Sequence, residues 1–290
     1  MFKGAFSAIV TPFKNNEIDE EAFSSLIEFQ IQSGIHGIVP CGTTGESATL
    51  FHEEHNRIIE LAVEVVNKRV AVIAGAGSNS TKEAVTFTRH AKKAGADAAL
   101  LITPYYNKPS QEGLFRHFKT ISDEVDIPQF LYNVPGRTCV DLLPETVARL
   151  SAEKNVIGIK DAAGDLSVTT DIIALSQKGF IILSGDDSLT FPMLCVGASG
   201  VISVTANLLP GEISSMCELF HQGDIEDAKE IHYKVRLVNQ AMFYETNPVP
   251  VKTALSLTGR ISPEVRPPLC EMTKDNLKRF KDVLKGYGEL

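Results

Sequence analysis

The 290-residue sequence is poor in the features that mark several large classes of protein. Its net charge is −8 at pH 7 and it has no dense cluster of Lys and Arg residues, so it offers no basic stripe for a nucleic-acid backbone. Its five cysteines are scattered, odd in number and contain no CxxC pair, which favours reduced thiols over a disulfide framework. We therefore expect a cytoplasmic protein without a nucleic-acid partner.

The sequence also lacks an apolar run with the properties of a membrane helix. One uncharged stretch, residues 188–211, is long enough, but it contains Pro192, Gly200 and Pro210 and has no basic flank. A helix, a loop and a buried strand suit this stretch better. We expect no membrane association.

What the sequence does have is a repeated unit, a short apolar strand followed by an amphipathic helix, at intervals of about 25 residues. The strands are near-continuous apolar runs, as expected of parallel strands buried on both faces. A helical pattern begins behind Asp19 and stops at Gly34. Eight such units favour an α/β fold that closes into a (β/α)8 TIM barrel over an open doubly wound sheet. The predicted strands are Ala5–Val10, Gly37–Pro40, Val70–Ala74, Asp97–Thr103, Pro128–Tyr132, Val156–Lys160, Phe180–Ser184 and Gly200–Val204.

The strand pattern stops near Asp224, and helical patterns continue to the end of the sequence. The Asn247–Pro250 segment interrupts them. We therefore predict two domains, a barrel over residues 1–223 and a small C-terminal helical domain over residues 224–290.

The active groups of a barrel of this kind lie at the C-terminal ends of its strands and in the loops that follow them. Lys160 ends the sixth predicted strand behind the apolar residues 156–159, so its amine should emerge into the barrel mouth. Burial there disfavours the charged form and favours the free amine of a nucleophile. An ion pair with Asp161 is the structural alternative. Lys252 is a rival nucleophile, although its position near a helix start favours packing or capping.

Three further loops carry candidate groups, each with an ordinary structural alternative. The turn 42–45 (Gly-Thr-Thr-Gly) could direct backbone N–H groups at a carboxylate, or be a simple glycine-bounded turn. Tyr132 could move protons for a carbinolamine, or be a core residue. Arg137 could bind a second carboxylate through its planar fork, or be solvated.

Taken together, these loops resemble the signatures of the dihydrodipicolinate synthase/N-acetylneuraminate lyase family. The matching segments are 42–47, 132–138 and 158–161, in the family's order and spacing, and the resemblance covers essentially the whole chain. It implies a class I (Schiff-base) aldolase-type lyase in which Lys160 forms an imine with pyruvate. No cofactor is expected, because the imine itself is the electron sink.

The resemblance also implies individual roles. Lys160 would be the nucleophile and Tyr132 the general acid/base, linked through Thr43 to Tyr106 of a neighbouring subunit. If Tyr106 enters the active site of a neighbouring subunit, the protein must be at least a dimer. The family commonly forms a homotetramer, which is a dimer of dimers. Thr43 and Thr44 would hold the pyruvate carboxylate. The other implied substrate-binding residues are Arg137, Gly185 and, through its backbone, Ile202.

Two features favour the synthase branch of this family over the sialic acid lyases. Thr43 and Thr44 occupy the positions at which the sialic acid lyases typically have Ser-Thr. The sialic acid lyases also lack an arginine that corresponds to Arg137. The expected substrates are pyruvate and L-aspartate-4-semialdehyde, in lysine/diaminopimelate biosynthesis. The alternatives are a pyruvate lyase acting on N-acetylneuraminate or a 2-keto-3-deoxy sugar acid, a metal-dependent barrel aldolase, and a non-catalytic barrel that binds a small acid.

The segment 52–55 (His-Glu-Glu-His) suggests a metal site, but its histidines are three residues apart and no third ligand is evident, so we predict none. The resemblance implies instead a pocket for the inhibitor L-lysine at a subunit interface. Glu83 has a competing explanation, a helix capping box with Ser80. The implied pocket residues are Ser47, Ala48, His52, His55, Asn79, Glu83 and Tyr105.

Overall fold

The computed structural model of the protein describes residues 2–290, and eight parallel strands in it close a barrel. In chain order the strands are β1 (Gly4–Ser7), β2 (Phe13–Lys14), β3 (Glu17–Ile18), β4 (Gly37–Ile38), β5 (Ala71–Gly75), β6 (Ala98–Ile102), β7 (Gln129–Asn133), β8 (Val156–Asp161), β9 (Ile181–Ser184) and β10 (Gly200–Ser203). β2 and β3 form an antiparallel hairpin outside the barrel. The barrel order is β1-β10-β9-β8-β7-β6-β5-β4, which confirms the predicted TIM barrel over the open sheet.

Helices separate the barrel strands and continue beyond the last one. The first begins where predicted, because the Asp19 side chain accepts the Ala22 N–H at 3.0 Å. The helices are α1 (Glu20–Gln32), α2 (His52–Val66), α3 (Thr81–Ala94), α4 (Gln111–Glu124), α5 (Pro135–Thr138), α6 (Pro144–Leu150), α7 (Leu166–Leu175), α8 (Thr190–Val196), α9 (Pro210–Gln222), α10 (Ile225–Ala241), α11 (Val249–Leu257) and α12 (Lys274–Tyr287).

The uncharged stretch 188–211 forms α8, a short loop and the buried strand β10, as predicted. Within residues 2–290, every helix is too short or too polar to cross a membrane.

Two kinds of apolar packing hold the barrel. A cluster made of strand and loop residues, with Phe6, Phe130 and Leu183 among its members, fills the interior. A second cluster lies between the strands and the outer helices, and it also contains Val238 of α10 and Phe280 of α12. The C-terminal helices therefore share their core with the barrel. The boundary at residue 224 stays a prediction.

Candidate active site

The C-terminal ends of the strands surround an open cavity of about 420 Å³. Parallel strands bring their C-terminal ends to one face, so loops far apart in sequence meet there. Six of the predicted catalytic and substrate-binding residues line this cavity. They are Thr43, Thr44, Tyr132, Arg137, Lys160 and Gly185.

Lys160 lies near the end of β8, paired in register with Tyr132 of β7. Its side chain is buried, with its Nζ 4.4 Å from the centroid of the Tyr132 ring. Among residues 2–290 no carboxylate lies within salt-bridge distance of this amine. The Asp161 carboxylate instead accepts the Thr169 hydroxyl at 2.7 Å and the Ala163 N–H at 3.1 Å. The ion pair between Lys160 and Asp161 is therefore absent.

Gly185 follows β9 and leaves space beside the amine. A Cβ at this position would lie 3.0 Å from Lys160 Cε and 2.7 Å from the Ala162 Cβ. A larger residue would therefore push against the lysine side chain. The glycine keeps room for a small molecule at this point of the cavity.

The turn that carries Thr43 and Thr44 is closed by its own backbone. Gly45 N–H donates to the Gly42 carbonyl and Glu46 N–H to the Thr43 carbonyl, both at 3.1 Å. Within the part of the chain that the structure describes, the N–H groups of Thr43 and Thr44 have no protein acceptor. Two neighbouring free donors at a turn suit a carboxylate.

Thr43 and Tyr132 also line a smaller cavity of about 30 Å³ beside the main one. A cavity of this size has room for about one water molecule. Thr43 and Tyr132 therefore lie beside the same small space, close to Lys160.

Arg137 lies on α5, in a loop that a buried amide closes. Asn133 donates to the Asp141 carboxylate at 2.7 Å and accepts the Leu142 N–H at 3.1 Å, so both ends of the loop are held. The exposed Arg137 guanidinium donates to the Asn247 carbonyl at 3.1 Å. Within residues 2–290, its other donors have no protein acceptor.

Two predicted residues lie outside the cavity of this chain. Tyr106 has a left-handed backbone, is 90% exposed and does not line the cavity. Ile202 is buried in the barrel core, and Val204 is the residue that lines the cavity on that side. The predicted contribution of the Ile202 backbone stays a prediction, because only the packing of its side chain inside the barrel is seen here.

One wall of the cavity comes from beyond the barrel, and no sequence pattern predicted it. These residues are polar or aromatic and come from α10 and the segment after it, which carried no motif. They are Asn239, Gln240, Phe243 and Asn247. Only the packing of α10 decides which of its faces meets the barrel mouth.

A second cavity, of about 460 Å³, lies on the outer side of the same turn. The rim carries a hydrogen bond between His52 Nε2 and Glu83 Oε1, at 3.0 Å. Of the seven residues predicted for the lysine pocket, Asn79 lies behind the lining and donates to the Tyr105 carbonyl at 3.2 Å. The other six line the cavity: Ser47, Ala48, His52, His55, Glu83 and Tyr105.

Two details of this second cavity bear on its chemistry. Ser80 accepts the Glu83 N–H at 3.4 Å, but the Glu83 carboxylate turns to His52 and Ser78, so only half of the predicted capping box forms. His55 stacks on Phe87 at 4.3 Å, and burial lowers the pKa of His55 to about 4. The Glu83 carboxylate therefore lines the cavity while it bonds to His52 and Ser78, and His55 is neutral at pH 7.

A buried lysine at a strand end of a closed parallel barrel, next to a tyrosine and two free backbone donors, defines a class I aldolase-type lyase. The sequence places the chain more narrowly. It matches the model of the Dihydrodipicolinate synthetase family over residues 1–287. The chain belongs to that family.

Individual relatives agree with this assignment. The chain is 57% identical over 288 residues to a 4-hydroxy-tetrahydrodipicolinate synthase of Geotalea uraniireducens, covering 99% of each chain. It superposes with a TM-score of 0.98 on a chloride-inhibited dihydrodipicolinate synthase of Acinetobacter baumannii complexed with pyruvate, at 43% identity and 100% coverage of both chains. The enzyme of Cyanidioschyzon merolae with lysine bound gives a TM-score of 0.96 at 37% identity, with 100% of this chain and 99% of that chain covered.

Proposed function

We propose that this protein condenses pyruvate with L-aspartate-4-semialdehyde to give 4-hydroxy-tetrahydrodipicolinate, a step of lysine/diaminopimelate biosynthesis. The observation that carries the proposal is the setting of Lys160. It is a buried primary amine at a barrel strand end, 4.4 Å from the Tyr132 ring centroid and, within residues 2–290, without a carboxylate at salt-bridge distance. The family and the name of the 57% identical relative support the same reaction.

In this mechanism the Lys160 amine attacks the ketone carbon of pyruvate. Tyr132 supplies and removes protons while the carbinolamine forms and loses water to give the imine. Loss of a methyl proton gives an enamine, whose carbon attacks the aldehyde of the second substrate. The amino group of that substrate then attacks the imine carbon, which closes the ring and releases Lys160.

The surrounding groups bind the two substrates. Thr43 and Thr44 donate their N–H groups to the pyruvate carboxylate, and Gly185 leaves space beside it. Arg137 binds the carboxylate of the semialdehyde through its free guanidinium donors. The reaction needs neither a metal nor an organic cofactor, because the imine accepts the electrons.

Borohydride trapping tests the central step. Incubation with pyruvate and borohydride should reduce the imine and add one pyruvate-derived mass to the peptide that contains Lys160. Peptide mapping also examines Lys252, which serves as the internal control because it is buried but does not line the cavity. Absence of added mass at Lys160 would falsify the proposal.

A substrate comparison separates the alternative reactions. A coupled assay with pyruvate and L-aspartate-4-semialdehyde should give turnover, whereas cleavage of N-acetylneuraminate and of 2-keto-3-deoxy sugar acids should be slow or absent. Full activity after EDTA treatment is expected, and inactivation by EDTA would favour a metal-dependent aldolase.

We further propose that the enzyme works as a homotetramer in which Tyr106 of one subunit completes the proton path of its neighbour. Two observations support this role. Tyr106 is 90% exposed, and it lies outside the cavity of its own chain. Sedimentation velocity measures the assembly, and Tyr106→Phe should lower turnover without dissociating it. A fully active monomer would contradict the proposal.

We also propose that the cavity with His52 and Glu83 on its rim binds L-lysine as a feedback inhibitor. The Glu83 carboxylate suits an ammonium group, and the cavity shares Thr43, Arg137 and Asn247 with the active-site cavity. The expected result is inhibition by millimolar L-lysine between pH 7 and 8. An unchanged rate would exclude this regulation.

Finally, we place the enzyme in the cytoplasm, where its substrates would be produced and consumed. The support is the cysteine content, since the five cysteines are all free thiols in the structure. Cell fractionation with an antibody against the protein tests this location.

A further inference from the structure

A buried ion pair lies directly behind the Thr43–Thr44 turn. Lys252 Nζ donates to Glu46 Oε1 at 2.5 Å, and the two side chains are 0% and 1% exposed. The second oxygen of Glu46 accepts the backbone N–H of Arg266 at 3.0 Å. Neither charged side chain lines the cavity that contains Lys160, so the proposed chemistry does not use the pair directly.

Such a pair is a poor way to stabilise a fold. Removing two charges from water is costly, and an apolar pair of similar volume often serves stability as well or better. The cost is visible here, because burial lowers the pKa of Lys252 and the attraction of Glu46 only partly offsets that effect. A role other than stability is therefore required to explain the pair, and its position suggests one.

The pair belongs to a group of bonds that the C-terminal part of the chain makes to this turn. Asn247 Nδ2 donates to Thr44 Oγ1 at 3.0 Å, next to the bonds that Lys252 and Arg266 make to Glu46. All three donors lie between residues 247 and 266, beyond the barrel. Glu46 itself has a φ of 55°, a left-handed conformation that a residue with a side chain adopts only when its surroundings hold it.

We propose that Lys252, through Glu46, positions the Thr43–Thr44 turn for the substrate carboxylate. Lys252 is then a positioning residue rather than a second nucleophile. The proposal rests on the pyruvate-binding role of the turn given above. A small displacement of the two N–H groups would lengthen their bonds to the carboxylate beyond the useful range. Lys160 would not move, because β8 holds it independently.

The test is the double variant Glu46→Gln/Lys252→Met, which removes both charges with little change in volume. We expect a melting temperature close to that of the wild type, because the desolvation cost disappears together with the attraction. The pyruvate concentration that gives half-maximal borohydride trapping should rise about tenfold, with the label still at Lys160 and trapping at saturating pyruvate preserved.

A matched control separates positioning from general loss of stability. Phe280→Ala empties a fully buried site on α12, a helix that packs against α10. It should lower the melting temperature and leave the half-saturating pyruvate concentration unchanged. An equal rise in both variants would show that any destabilisation weakens pyruvate binding, and it would overturn the proposal.

The remaining outcomes are also decisive. A wild-type enzyme that pyruvate does not label would overturn the proposed function itself. A labelled wild type, together with a folded double variant that has the wild-type half-saturating concentration, would overturn only the positioning role. If the double variant does not fold, Glu46→Gln alone removes the charge that Lys252 contacts and keeps the shape of the side chain. With pyruvate as the sole substrate its half-saturating concentration should rise severalfold, and an unchanged value would reject the proposal.

Discussion

The two cavities of this enzyme have similar volumes, about 420 and 460 Å³, but they are built differently. The first lies at the ends of barrel strands, and its reactive amine is buried beside the Tyr132 ring. The second lies among loops and helix starts, and an exposed contact between His52 and Glu83 marks its rim. The same turn separates them, with Thr43 lining both and Ser47 and Ala48 lining only the outer one of this pair.

The comparison suggests a division of labour. A strand end fixes a nucleophile because the barrel holds it from both sides, whereas loop residues can adapt to a ligand at lower cost. Three residues line both cavities, Thr43, Arg137 and Asn247. A ligand in the outer cavity can therefore alter the inner one only by a small shift of these shared residues. Substitutions in the inner cavity should therefore change catalysis, and substitutions in the outer cavity should change the binding of L-lysine.

The largest expected effect follows from removing the nucleophile. Lys160→Met keeps most of the side-chain volume but has no amine, so turnover should fall at least about a thousandfold, equivalent to ~4 kcal/mol. Pyruvate labelling should disappear, while calorimetry should still detect L-lysine in the outer cavity. Appearance of the pyruvate label at Lys252 in this variant would show that the amine had been wrongly assigned.

A smaller effect is expected at the shared wall. Arg137→Lys keeps the charge but loses the planar fork, so the KM for L-aspartate-4-semialdehyde should rise about thirtyfold, or ~2 kcal/mol. Labelling by pyruvate alone should not change. Arg116→Lys is the matched control, because Arg116 pairs with Glu112 on an exposed face of α4. A rise in the half-saturating pyruvate concentration in Arg137→Lys would mean that this residue binds the first substrate.

The sequence alone predicted the features that depend on local patterns. Apolar runs predicted the strands, and the barrel rule then placed Lys160, Tyr132 and the Thr43–Thr44 turn on one face. The parts that it could not predict depend on distant packing. Glu46 and Lys252 are 206 residues apart, and Asn247 reaches the cavity only because α10 and α11 pack across the barrel mouth. The periodicity of a single helix or strand cannot predict contacts between residues so far apart in the sequence.

The outer cavity should also respond to acid. Burial lowers the pKa of His55 to about 4, so between that value and its unfolded pKa of 6.5 the unfolded chain binds the proton more readily. Stability therefore falls as pH decreases, and His55 accounts for about 2 kcal/mol between about pH 7.5 and about pH 5. Urea unfolding of His55→Gln should show a smaller loss over this range than the wild type.

The histidine at the rim provides the control for that measurement. His52→Gln removes an exposed imidazole at the same cavity, which matches the chemical change in His55→Gln without emptying a buried site. His117, whose pKa burial also lowers to about 4, retains its share of the effect in both variants. Equal sensitivity of His55→Gln and His52→Gln would contradict the burial argument.

The smallest predicted effect tests whether the outer cavity is regulatory. Glu83→Gln removes the carboxylate next to His52 but keeps the shape of the side chain, so the L-lysine concentration for half inhibition should rise about tenfold, ~1.4 kcal/mol. Turnover without lysine should not change, because Glu83 does not line the inner cavity. Glu60→Gln is a matched control, since Glu60 contacts His90 at 3.2 Å away from the outer cavity. If both variants raise the L-lysine concentration for half inhibition equally, the inhibition depends on surface charge and not on a specific site. The outer cavity would then not be the regulatory site.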